Sequence, residues 1–70
     1  MRIEAHLGGL TKAKRSKLAG LASFDEATGI AVFEWGAAGV APHDYPTAMN
    51  RVRDDVAALG GEATNFRMLG

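Results

Sequence analysis

The chain contains no cysteine. That excludes disulfide stapling, a thiol nucleophile and cysteine-ligated zinc together, and it fits a reducing compartment. No apolar run approaches the roughly 18 residues of a membrane span. The opening residues, MRIEAHLGG, alternate charged and apolar side chains, which a secretory leader does not do. These absences together predict a cytoplasmic protein away from membranes. Also missing are repeats, low-complexity tracts and a linker. The expectation is one domain over residues 1–70, since domains usually need about 50 residues or more.

Large apolar side chains are scarce as well. Of the 33 hydrophobic residues 13 are alanine, which leaves 20 larger ones. A chain of this size buries only about 60% of its surface on folding. The core is therefore expected to be thin, and association with a copy or a partner would help it. The net charge is zero, but residues 1–22 carry five basic groups against one acid, and residues 23–70 carry seven acids against three arginines. The two stretches are thus +4 and −4. Such asymmetry either marks a polar binding surface or disappears when opposite charges meet on the folded surface.

What is present reads as alternating strands and helices. Met1, Ile3, Ala5 and Leu7 alternate with Arg2, Glu4 and His6, the pattern of a strand with one buried face. Residues 11–22, TKAKRSKLAGLA, admit a helix capped by Thr11. Against it stand Gly20 and the basic residues crowding the positive end of the helix dipole. The rival is a basic loop leading into a strand at 18–24. The helix is preferred, because ten unstructured residues make a long loop in so small a domain. Ile30–Gly36, IAVFEWG, is β-branched and aromatic and reads as a strand, and 36–42, GAAGVAP, as a flexible loop. Asp44 then caps a helix over about 45–59, with Pro46 in its first turn and Met49, Val52, Val56 and Leu59 as its apolar stripe. Gly60-Gly61 end it. Residues 62–69 alternate again, with Thr64, Phe66 and Met68 on one side. The order βαββαβ predicts a ferredoxin-like α+β fold, an antiparallel sheet with two helices on one face. If the first helix is absent, a βββαβ meander with one helix remains.

An unpaired carboxylate is costly to bury, so Glu34 should face away from the helices. That places Phe33 and Trp35 in the core, and Ile30 and Val32 on the open side of the sheet. An apolar patch there calls for cover, by a second copy or by a larger partner. RNA stacking on that face is disfavoured: its aromatics point inward, and Glu4 and Glu34 repel phosphate. The basic residues Lys12, Lys14, Arg15 and Lys17 form the alternative nucleic-acid contact. His6 and His43 match no metal-ligand spacing, so no metal or cofactor is expected. Neither Gly8-Gly9 nor 36–39 has the lysine and spacing of a phosphate loop. Glu4 and Glu34 on a flat sheet have no pocket to tune them as an acid–base pair. The expectation is therefore a non-enzymatic protein-binding module that docks on a larger protein or nucleoprotein complex, through Asp25, Glu26, Glu34, Asp54 and Asp55 or through Ile30 and Val32. The chain starts at methionine and carries no tag, as a complete small reading frame would. By analogy of size and charge, small inhibitors from phages or mobile elements, anti-CRISPR proteins among them, are one class that fits.

Overall fold

A computed structural model of the chain describes residues 1–35 and 44–69. Its elements are β1 (Arg2–Gly8), α1 (Lys12–Arg15), β2 (Leu21–Asp25), β3 (Ile30–Glu34), α2 (Tyr45–Ala58) and β4 (Glu62–Met68). The four strands form one sheet in the order β2-β3-β1-β4, and every neighbouring pair is antiparallel. The class is α+β, with a four-stranded antiparallel sheet and two helices. The loop expected at 36–42 lies outside the described residues.

The alternation read in β1 is what buries it. Ile3, Ala5 and Leu7 are buried, while Arg2 and His6 are exposed. The register sets Ile3 opposite Phe33 and Ala5 opposite Ala31. Two strands with matching periods thus place their apolar residues on one face. Phe33 is the largest fully buried side chain, and Trp35 stacks on it with ring centroids 6.0 Å apart.

Against this strip lies α2. Asp44 caps it, its Oδ1 accepting from the Thr47 N–H at 2.9 Å, and Pro46 occupies the first turn, where its missing N–H has no intrahelical partner. The line of deepest burial is Ala48, Val52 and Val56. It shares Val52 and Val56 with the expected stripe, while Ala48 takes the deepest place in the first turns and Met49 and Leu59 are half-buried. At the C-terminal end Gly60 takes φ +88°. Its N–H donates to the Ala57 carbonyl and that of Gly61 to the Val56 carbonyl. That is a Schellman closure, which needs a left-handed residue and so favours glycine.

The segment 11–22 resolves into parts of both expectations. Thr11 does cap a helix, its Oγ1 accepting from the Lys14 N–H at 3.2 Å, but the helix is one turn long and has no buried residue. Leu18 alone of that crossover is buried, and β2 begins at Leu21. The chain leaves the helix through i→i+3 turns, the Lys17 N–H donating to the Lys14 carbonyl and the Leu18 N–H to the Arg15 carbonyl, and Gly20 at φ +81° then turns it into β2.

Strand β4 does not keep the alternation expected of it. Thr64 pairs with His6 and Arg67 with Glu4, so both belong to the open face. Phe66 packs against the core. One extra residue, Asn65 at φ +54°, separates Thr64 from Phe66 and puts them on opposite faces.

Candidate functional site

The helices share one side of the sheet, since the α1 residue Arg15 lies over the inward-facing Phe24 and α2 packs on β4 and β1. Neither lies on the other side. The register lays that open face out in rows. Asp25, Ile30, His6 and Thr64 form one, Ser23, Val32, Glu4 and Arg67 the next, and Glu34 and Arg2 a third. Ile30 and Val32 are half-buried, in the middle of a charged border. Arg2 Nε stands 3.5 Å from Glu34 Oε2, and Arg67 Nη2 stands 4.0 Å from Glu4 Oε2. Exposed pairs of this kind contribute about 0–1 kcal/mol, so their groups can exchange partners cheaply. Arg67 and Thr64 were not legible as members of this face, because Asn65 shifts the phase of β4. The one available signal was an asparagine inside an alternating run, a residue that tolerates the left-handed region.

The acids named from sequence do not share a surface. Asp25 and Glu34 belong to the open face with Ile30 and Val32. Glu26, in the β2–β3 turn, binds Arg15 at 2.9 Å. Asp54 and Asp55 lie on α2, in the opposite layer, and Asp55 stands 3.9 Å from Arg51. The +4 and −4 stretches of sequence therefore interleave in space.

The basic stretch divides too. Arg15 turns inward and is spent on the fold. Its guanidinium stacks 4.0 Å above the Phe24 ring, Nη2 reaches Glu26, and Nη1 donates to the Leu10 carbonyl at 3.0 Å. Only 12% of its side chain is exposed. Lys12, Lys14 and Lys17 are exposed. Lys14 Nζ lies near Gly60, at the carbonyl end of α2, where a cation is favoured. An open cleft of about 710 Å³ runs between α1 and the β2–β3 turn, floored by Leu21 and Phe24. Several of its polar groups are already engaged: the Arg15–Glu26 pair, the Ser16 hydroxyl, which donates to the Ala13 carbonyl, and Asp25 Oδ1, which accepts from the Ala27 N–H.

This geometry gives Arg15 a role that a surface cation would not have. Arg15→Ala should cost about 1–2 kcal/mol, through the lost cation–π contact and the lost cover over Phe24. Arg15→Met, which keeps the stem, should recover about half of that. Thermal unfolding reads the difference, at roughly 4–8 °C per kcal/mol for a domain this small. Equal Tm values for Arg15→Ala and the wild type would show that the stack is incidental.

Among the described residues no group of three or more His, Asp or Glu side chains gathers as metal ligands, and no helix is long and apolar enough to cross a membrane. His43 lies outside the described residues. Compared with known proteins, the chain matches no family model, no curated protein and no solved structure.

Proposed function

We propose that this chain is a non-enzymatic protein-binding module, a small inhibitor or regulator that docks on a larger protein through the open face of its sheet. One observation carries it: Ile30 and Val32 sit side by side, half-buried, on a face neither helix covers, ringed by loosely paired charges. An apolar centre with a polar, re-pairable rim is the anatomy of a protein interface. The size of the face favours a larger partner over a second copy. Four strands span only about 14 Å across and about 20 Å along. Two such flat faces would bury far less than the roughly 800 Å² per partner of a standard interface. A concave partner can add contacts around the rim. The same reading takes the domain as ferredoxin-like with a shortened first helix, supported by the strand order β2-β3-β1-β4 and its antiparallel neighbours. The narrower role of an anti-defence inhibitor such as an anti-CRISPR, and a cytoplasmic location, rest on size, charge and composition.

The test separates surfaces. Immobilised wild type should capture a partner from its source cells that a variant with Asp54 and Asp55 reversed to lysine also captures, and that Ile30→Lys loses. Loss on reversing the α2 acids, with Ile30→Lys unaffected, would move the interface to the helical layer. The second reading is a nucleic-acid contact through Lys12, Lys14 and Lys17. It is favoured by their exposure and by the absence of an ionic partner for them among the described residues. A shift of generic DNA or RNA at low salt that disappears when the three are replaced would establish it.

A further inference from the structure

We infer that the two edge strands of this sheet are each interrupted by one extra residue that keeps a strand from a second copy of the chain from pairing there. The edges are β2 and β4. An edge strand presents a row of unpaired N–H and C=O groups, a template on which another chain can add. The central pair is regular: β1 and β3 match residue for residue over five consecutive pairs, from Arg2↔Glu34 to His6↔Ile30. Both edge strands break step with their neighbours. Between Leu21↔Phe33 and Ser23↔Val32, β2 advances two residues while β3 advances one. Between Thr64↔His6 and Arg67↔Glu4, β4 advances three while β1 advances two. The extra residues are Ala22 and Asn65, and both are exposed.

Neither extra residue is needed to put the others on their proper faces. Without Ala22, strict alternation would still send Leu21 and Phe24 inward and Ser23 and Asp25 outward. Without Asn65 it would still send Thr64 and Arg67 to the open face and Phe66 to the core. The register to β3 and β1 would likewise be unchanged. Yet Asn65 is held at φ +54°, in the left-handed region that L-residues disfavour. A bulge kept at a cost, and dispensable for packing, has its effect on the outward edge. It bends the strand and increases its twist, so that a straight partner cannot continue the ladder. The need is plain at β4. It is seven residues long, and Met68 near its end is the one large hydrophobic left exposed among the described residues. The inference does not depend on what docks on the open face.

Deleting Asn65 or Ala22 tests it, with Asn65→Gly as a variant that keeps the bulge and relieves its backbone. Sedimentation across micromolar to millimolar concentrations reads self-association, and amide hydrogen exchange locates it. The wild type and Asn65→Gly should stay monomeric. At least one deletion variant should fold and self-associate at least tenfold more tightly than the wild type, with new amide protection in the edge strand that was straightened. The inference is overturned if the folded deletion variants stay monomeric, if they associate without that protection, or if neither deletion folds. The last result would mean that the bulges serve the monomer's own pairing. Edge-to-edge association of the wild type would overturn it as well.

Discussion

Phe33→Ala should remove most of the stability of this domain, lowering Tm by at least about 12 °C. Phe33 is 1% exposed and is the largest fully buried side chain. Its Cα partners are Ile3 on β1 and Leu21 on β2, so it sits where the two halves of the sheet share a core. Truncating a buried phenylalanine costs about 3–5 kcal/mol, the spread reflecting how far neighbours collapse into the space. A 70-residue chain has a net stability of only about 4–10 kcal/mol. With 13 alanines among its apolar residues, few large side chains are at hand to refill the void. Calorimetry or circular dichroism against temperature checks this. A Tm within about 4 °C of the wild type would mean that the core is centred elsewhere.

The second large effect is expected at Gly20, where two costs coincide. Its φ of +81° is in the left-handed region, and a Cβ there would lie 2.5 Å from Trp35 Nε1 and 2.7 Å from Cε2. Gly20→Ala must therefore strain the backbone and push the indole off its seat. The loss should be about 2–6 kcal/mol, from strain of about 1–3 and overpacking of about 1–3. The indole cannot move without disturbing the Phe33 stack, and the Gly20 carbonyl already accepts from the Glu34 N–H at 2.8 Å. A double-mutant cycle with Trp35→Ala separates the two costs. Removing the ring should abolish the overpacking part and leave the strain, giving a coupling of about 1–3 kcal/mol. Strict additivity would show that the ring has room to yield.

Gly20 also illustrates how far a sequence of this kind can be read. From sequence it counts against a long helix, and it does end that possibility. Its positive φ and its place beneath Trp35 depend on a partner 15 residues away, which no local pattern exposes. Strand β1 was legible because strict alternation forces a single burial solution, and β3 because it is filled with β-branched and aromatic residues. The acid rule for Glu34 then assigned the open face correctly to Ile30 and Val32. Helix α2 was legible from Asp44, Pro46 and Gly60-Gly61, each with a local job. Strand β4 was read with the right extent and the wrong phase: one residue at φ +54° flips every side chain beyond it, and alternation alone has no term for an insertion. Of the two outcomes open to the charge asymmetry, the structure shows opposite charges meeting on the folded surface. Glu26 returns to Arg15 across the β2–β3 turn, so runs of opposite sign in sequence become neighbours in space. Arg15 could not be told from its lysine neighbours until the ring beneath it was known.

Docking through the open sheet face is most directly tested by measuring the affinity of the captured partner for Val32→Lys beside Ala58→Lys, an exposed position on α2. Val32 pairs with Glu4 and Ser23, so a lysine there meets a carboxylate and should shift Tm by only a few degrees. The account predicts that Val32→Lys weakens binding at least tenfold, about 1.4 kcal/mol, while Ala58→Lys leaves Kd unchanged. Full affinity in Val32→Lys, or a loss confined to Ala58→Lys, would contradict it.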